Sequence, residues 1–181
     1  MTKEKITNLI EMMSAQELKS RLAAYMMNDV ALMPKPVAIQ VRLSSESNSS
    51  CRYDVLLIDE DGCETMVKFP DRPSRLIYIY TFMHPQGFQR YSVRANNYYE
   101  LRQLYRKLYF RDDDALMKTI CETDDEFDHF LSQAIAQSRV AIRNTGFPTT
   151  EIKIGSPKTY GRVMIPLVKN TSCAIIDTTL Q

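Results

Sequence analysis

The stretch that decides the fold is Asp71-Arg72-Pro73-Ser74-Arg75-Leu76-Ile77-Tyr78-Ile79-Tyr80-Thr81-Phe82-Met83-His84-Pro85-Gln86-Gly87. Its β-branched and aromatic residues favour a strand. A cap at Asp71 or Ser74, Pro73 in the first turn and a stop at Pro85-Gln86-Gly87 favour a helix instead. We therefore predict a helix that is buried on most sides.

A block of strands is predicted before this helix. Residues 37–43 alternate apolar and polar side chains, which is the period of a half-buried strand. Residues 52–58 and 63–69 flank the loop Asp59-Glu60-Asp61-Gly62, whose glycine suits a left-handed turn position. The three segments together predict an antiparallel meander.

Helices and a hairpin are predicted after it. One helix follows a cap at residues 97–100, and residues 112–120 form a short one. A long helix spans residues 124–143, and a final hairpin pairs residues 151–154 with residues 160–167. The long helix has an inner apolar stripe consisting of Phe127, Leu131, Ala134, Ile135, Ser138 and Ile142.

The N-terminal region is predicted to be a helical arm, residues 1–36. Apolar residues at helical spacing occupy residues 6–13, and Ser14 with Glu17 forms a capping box that opens a second helix. Pro34 and Pro36 end the helical pattern. The domain prediction is therefore an arm (1–36), one α+β domain (37–169) and a polar C-terminal tail (170–181).

Charge is unevenly distributed along the 181 residues, although the net charge is only +1. Residues 68–111 carry nine basic and two acidic side chains, and residues 129–169 carry six and one. Between them, residues 112–128 carry one basic and eight acidic side chains. The overall balance argues against a strongly basic nucleic-acid binder, whereas two basic blocks can still form a local positive face.

Targeting and redox signals point to the cytoplasm. No apolar run approaches the roughly 20 residues of a membrane span, and the N-terminus has no apolar signal-peptide segment. The four cysteines, at positions 51, 63, 121 and 173, form no CxxC pair, so we expect reduced thiols. We predict a cytoplasmic protein without membrane association.

The predicted order of strands, helices and closing hairpin resembles the winged-helix effector domain of OmpR-type response regulators over residues 37–167. Four short segments of the sequence are similar to a group of uncharacterised bacterial proteins. They are Arg75-Leu76-Ile77-Tyr78, His84-Pro85-Gln86-Gly87-Phe88, Tyr99-Glu100-Leu101 and Tyr105-Arg106-Lys107. The resemblance implies a winged-helix-like fold: a small antiparallel sheet, a helical bundle and a C-terminal β-hairpin wing. It also implies a DNA-binding, transcription-associated module. Residues 1–36 are too short for a receiver domain.

If this resemblance holds, the long helix would read DNA. Its amides, Gln133 and Gln137, are one turn apart and suit adenine edges, and Arg139 and Arg143 suit guanine or phosphate. Further phosphate contacts would come from Lys153, Lys158, Arg162, Arg90 and Arg94. The alternative explanation is that these are ordinary surface side chains. Four carboxylates at the start of the same helix, Asp124, Asp125, Glu126 and Asp128, have the wrong sign for DNA.

Catalytic, metal and cofactor sites are not predicted. The acidic clusters 112–114 and 124–128 and the loop 59–62 are explained by turns and helix caps, and the loop lacks the further ligands of a calcium site. His84 and His129 are the only histidines, and a dyad of Cys121 with His129 has no orienting partner. Gly-rich phosphate loops are absent. We expect a non-enzyme without cofactor.

Two further hypotheses remain open. Tyrosines alternate with arginines between residues 75 and 109. Such a pattern suits a surface that stacks on single-stranded nucleic acid or contacts a protein partner. The alternative explanation is that the tyrosines fill a core that has no Trp. The alternative to DNA binding is a protein–protein interaction or assembly module. In that case the N-terminal helices, 5–13 and 14–28, would pack against a partner or a second copy.

Overall fold

A computed structural model describes residues 35–45, 51–89, 92–109, 124–169, 173–177 and 180, without the side chains of residues 92–98, 124–126 and 157. All of these residues belong to one compact unit, residues 34–181. The predicted helices 5–13, 14–28 and 112–120 lie outside the described residues, as do Arg90, Tyr91 and Cys121.

The deciding stretch is a helix, α1 (Arg72–Met83), as predicted. Asp71 is its N-cap, and the Asp71 carboxylate accepts a hydrogen bond of 2.7 Å from the backbone N–H of Ser74. Every residue from 76 to 82 is at most 3% exposed, so α1 is buried around its whole circumference. Residues with high strand propensity form a helix here because the cap at Asp71 and the stop at Pro85-Gln86-Gly87 define its ends. Burial of large apolar side chains stabilises a helix as well as a strand.

Two longer helices surround α1. α2 spans Ser92–Tyr109 and α3 spans Asp124–Arg143, and both pack against α1. The predicted inner stripe of α3 is confirmed, since all six of its residues are buried. Tyr78, Tyr80, Tyr105 and Tyr109 are also buried, which confirms the core explanation for these four tyrosines, whereas Tyr99 is 70% exposed.

The predicted meander is present. β1 (Pro36–Leu43), β2 (Tyr53–Asp59) and β3 (Glu64–Met66) pair antiparallel in sequence order. The turn between β2 and β3 is held by the carboxylate of Asp59, which accepts from the backbone N–H groups of Asp61 and Cys63 at 3.0 and 2.8 Å. Gly62 adopts φ +79°, the left-handed conformation expected of it.

A fourth strand comes from the segment predicted as a polar tail. β4 (Ala174–Ile176) pairs parallel with β1 and completes the sheet in the order β3-β2-β1-β4. Its three residues were recognisable only as a short apolar patch. The paired residues of β1 and β4 are 135 positions apart, so no local turn signal marks the pairing, because parallel strands require a long connection.

The predicted C-terminal hairpin is not a pair of regular strands. Residues 151–153 are turns and a bend, while α4 (Pro157–Tyr160) is a single helical turn and Pro166–Lys169 is a 3-10 turn. Two backbone bonds still join the arms, Gly155 N–H to Met164 O and Leu167 N–H to Glu151 O. Val163 makes its pair of backbone bonds with Phe88 instead, at 3.0 and 2.9 Å. The fold is thus mixed α+β, with an irregular loop at the predicted wing.

Neither a membrane helix nor a metal cluster is found in the described parts of the chain. None of its helices combines the length and apolar character needed to cross a bilayer. The same residues contain no group of three or more His, Cys, Asp or Glu side chains placed to hold an ion. Cys51, Cys63 and Cys173 form no disulfide with one another.

Removing the α1 cap is expected to destabilise the protein. Asp71→Ala leaves the N–H of Ser74 without its acceptor, and we expect the free energy of unfolding to fall by about 1 kcal/mol. Urea denaturation measures this change. Asp61→Ala, which removes an exposed carboxylate from the β2–β3 turn, is the matched control and should change stability by less than about 0.5 kcal/mol. Equal losses in both variants would contradict the capping role.

Buried phenols should make the fold sensitive to alkali. Burial raises the pKa of Tyr78 above the ordinary value of 10.0, and burial, followed by the nearby Cys51 thiol, raises that of Tyr109. Their stabilising contribution is complete below pH 10, where the unfolded chain is also protonated, and is lost as the pH rises further. We expect Tyr78→Phe to reduce the fall in unfolding free energy above pH 10 by about 1.4 kcal/mol per pH unit. Tyr99→Phe, at an exposed position, is the control for loss of a tyrosine.

Candidate nucleic-acid interface

The candidate interface combines the C-terminal half of α3 with the loop that follows it. On α3, Gln133 and Arg143 are exposed, and Gln137 and Arg139 are half-buried. After α3, Lys158 and Arg162 are exposed in the loop, and Lys153, just before the loop, is half-buried. Arg94 lies on α2 without a described side chain, and Arg90 lies outside the described residues.

Two side chains from different helices fix the segment that leads into the loop. The Tyr78 hydroxyl of α1 donates to the carbonyl of Ile152 at 2.8 Å, and Nε of Arg139 on α3 donates to the carbonyl of Ile154 at the same distance. Ile152 and Ile154 are themselves fully buried. These carbonyls accept from side chains rather than from a partner strand, which accounts for the missing ladder of the predicted hairpin.

Arg139 therefore has a structural contact that the sequence did not indicate. Its guanidinium is half-buried at the edge of the exposed side of α3, and its Nε–H is committed to the Ile154 carbonyl. A guanidinium has five N–H donors, so its remaining donors can still meet an anion. Because Arg139 also holds the loop, a variant at this position would alter the loop and the charge together.

The basic loop is defined as residues 155–164. Its base is closed by the backbone bond between Gly155 and Met164 and by the pairing of Val163 with Phe88. At its tip, residues 158–162 are all exposed and include Lys158, Tyr160 and Arg162. Sequence reasoning missed Tyr160, although its position between two cations in the chain was the available signal.

The ring of Tyr160 lies directly on Gly155. A Cβ atom on Gly155 would come within 2.4 Å of two carbons of that ring. Gly155 is not among the glycines with positive φ, so a side chain is excluded there by contact and not by backbone conformation. This contact holds the exposed tip against the base of the loop, and it leaves Tyr160 40% exposed.

A double-mutant cycle tests this contact. Gly155→Ala in the parent protein should cost about 1 kcal/mol or more, because the ring must move. In a Tyr160→Ala background the same change should cost less, with a coupling energy above about 0.5 kcal/mol. Urea denaturation of the four proteins gives the coupling. Equal costs in both backgrounds would show that the ring does not restrict position 155.

No protein-family model, curated protein or solved structure matches this chain. The winged-helix resemblance therefore stays a prediction that rests on the order of the elements. The geometry of α3 and the basic loop is the basis on which a function can be assigned.

Proposed function

We propose that this chain is a non-catalytic module that binds double-stranded DNA, with a role associated with transcription. The proposed surface consists of the C-terminal half of α3 and the basic loop. In this arrangement α3 lies in the major groove, and the loop, acting as an irregular wing, contacts the backbone. The closure of the loop by backbone bonds at its base supports this role without a regular hairpin.

The observation that carries the proposal is the hydrogen bond from Arg139 to the carbonyl of Ile154. It joins the edge of the exposed side of α3 to the start of the basic loop. Cations that are distant in sequence, such as Arg143 on the helix and Lys153 beside Ile154, therefore belong to neighbouring parts of one surface. A surface of this kind attracts phosphates even when the net charge of the chain is close to zero.

Each side chain has a role set by its chemistry. Gln133 and Gln137 offer amides to adenine edges, and Arg143 suits guanine or phosphate. Lys158 and Arg162 are exposed on the loop and suit phosphates. We assign phosphate contacts to Lys153, Arg90 and Arg94 as well. For Arg139, the role we propose differs from the one expected from the sequence: it positions the loop and does not read bases.

The acidic start of α3 does not exclude this binding mode. Along the helix axis, Gln137 lies roughly 14 Å from Asp128. That distance exceeds the Debye length of about 8 Å at physiological salt, so the carboxylates repel phosphates mainly near the start of α3. DNA is therefore expected to contact the C-terminal half of the helix, from Gln133 to Arg143.

Salt dependence is the direct test. With about four phosphate contacts, affinity for a random duplex should fall roughly a hundredfold between 50 and 200 mM salt. The double variant Lys158→Gln/Arg162→Gln should weaken binding and reduce the slope of log affinity against log salt by about 2. Fluorescence anisotropy with a labelled duplex gives both quantities.

The control neutralises two exposed lysines outside the proposed surface, Lys35→Gln/Lys68→Gln, which changes the net charge equally. Its slope should match that of the parent protein. If the two double variants lose affinity and slope equally, binding depends on net charge, and the assignment of the DNA-binding surface is wrong. If the parent protein at micromolar concentration fails to bind duplex in 50 mM salt, DNA binding itself is wrong.

A protein–protein interaction module is the second candidate, and one observation on the sheet favours it. Met66, Leu56, Gln40 and Ile175 are successive cross-strand neighbours, so they lie on one face. Met66 and Ile175, at the two ends of this row, are exposed apolar side chains (39% and 43%), whereas Leu56 between them is only 3% exposed. The opposite face carries core residues such as Val55. Light scattering on a sizing column discriminates: a stable dimer that does not bind duplex would support this candidate over the first.

A further inference from the structure

The middle of the exposed side of α3 is apolar. Because the helix turns once in 3.6 residues, positions 133, 136, 140 and 143 lie along one side of it, opposite the buried stripe. The outer two positions are polar, Gln133 and Arg143, whereas the inner two are Ala136 and Val140. All four side chains are exposed. The side of α3 assigned to the major groove therefore presents methyl groups between an amide and a guanidinium.

Val140 differs from the other large apolar side chains of α3. Among the described side chains of residues 127–143 it is the only large apolar one outside the core, at 39% exposure. Valine is also a weaker helix former than alanine or leucine, because its β-branched side chain loses rotamer freedom in a helix. An exposed valine thus contributes little to the stability of α3. A contact with a partner accounts for an apolar side chain at this position.

The middle of α3 has no cation at the centre of its exposed side. Arg139 is the only basic residue between positions 133 and 142. It lies at the edge of the exposed side, where its Nε–H donates to the carbonyl of Ile154 at 2.8 Å. Arginine and lysine make the commonest specific contact with guanine, through the O6 and N7 atoms of the base. The centre of this side therefore carries no group that favours G·C pairs.

The groups that are present match A·T pairs. In the major groove adenine offers N7 as an acceptor and its N6 amino group as a donor, and the amide of Gln133 or Gln137 meets both. Thymine presents its C5 methyl group, which makes apolar contacts. From Gln133 to Val140 the axis of α3 rises by roughly 10 Å, about three base-pair steps. Amides and methyl groups over this length can contact adenines and thymines of adjacent pairs.

We propose that the exposed side of α3 recognises A·T pairs in the major groove, with Val140 and Ala136 packed against thymine methyl groups and with Gln133 and Gln137 bonded to adenine. This inference rests on the proposed binding of double-stranded DNA and adds the class of sequence that is bound. Phosphate contacts from the basic loop position the helix on any duplex and carry no sequence information. Discrimination therefore depends on the uncharged side chains in the middle of α3.

The test is fluorescence anisotropy of the full chain with three duplex pools of equal length, roughly 20 base pairs, and therefore equal charge. The thymine pool is randomised between A·T and T·A pairs, the uracil pool has uracil in place of every thymine, and the G·C pool is randomised between G·C and C·G pairs. We expect the thymine pool to bind roughly tenfold more tightly than the G·C pool. Uracil lacks only the C5 methyl group, so the uracil pool should bind about fourfold more weakly than the thymine pool.

Val140→Ala tests whether this one side chain contacts the thymine methyl groups. The variant should lose affinity for the thymine pool and bind the uracil pool nearly as the parent does. The difference between these pools should shrink from about fourfold to less than about twofold. The matched control is Val37→Ala, at a valine of nearly equal exposure (41%) on β1, which should keep the parent's difference. Thermal unfolding of both variants shows whether the fold is intact.

Failure of this inference is distinguishable from failure of the proposed function. Equal binding of the thymine and uracil pools overturns the methyl contact, and so does a Val140→Ala variant that keeps the parent's difference between them. Equal binding of the thymine and G·C pools overturns the A·T preference. In each of these cases, salt-dependent binding of all pools leaves the DNA-binding function in place. If no pool is bound by micromolar protein in about 50 mM salt, the function and this inference are both wrong.

Discussion

Residues 76–82 of α1 are buried around the whole circumference of the helix, and the packing of the other elements follows from the need to cover them. A helix whose whole circumference is apolar must be covered on every side. α2 and α3 supply part of this cover, and the core continues from the helices to the inner face of the sheet. The tyrosines of α1 add a requirement, because each buried hydroxyl needs a polar partner. Tyr78 meets it at the carbonyl of Ile152, and this bond draws the segment after α3 onto the helices.

That segment shows how side-chain hydrogen bonds replace secondary structure. Its carbonyls at Ile152 and Ile154 are buried and must be paired. They accept from Tyr78 and Arg139, so the segment needs no partner strand. The basic loop beyond it is closed by three residues, Gly155, Met164 and Val163, with Phe88 as the partner of the last. The exposed, charged tip (residues 158–162) is therefore joined to a base of buried residues, Gly155, Val163 and Met164.

Prediction from the sequence succeeded where local signals were strong. The cap at Asp71 and the proline and glycine after α1 outweighed the strand propensity of its apolar residues, and the 3.6-residue period of α3 identified its buried stripe. The candidate interface was predicted less completely. Exposure of Gln133, Arg143, Lys158 and Arg162 followed from polarity alone. The bond from Arg139 to Ile154 did not, because nothing in a sequence marks which surface arginine lies beside a backbone carbonyl.

Local sequence signals were sufficient for the bounds of α1 and α3 and for the three-stranded meander with its turn at Gly62, because each depends on neighbours within a few residues. They were not sufficient for α2, which begins at Ser92 and not at the predicted cap in residues 97–100. Only the tertiary structure decided that residues 174–176 join β1 as a parallel strand and that Val163 pairs with Phe88. Only the tertiary structure brought Leu180 to Lys107 and His84 to Glu100. The physical reason is common to all of these contacts. They join segments far apart in the chain, and their free energy comes from burial and from satisfying buried polar groups, neither of which is encoded by a local pattern.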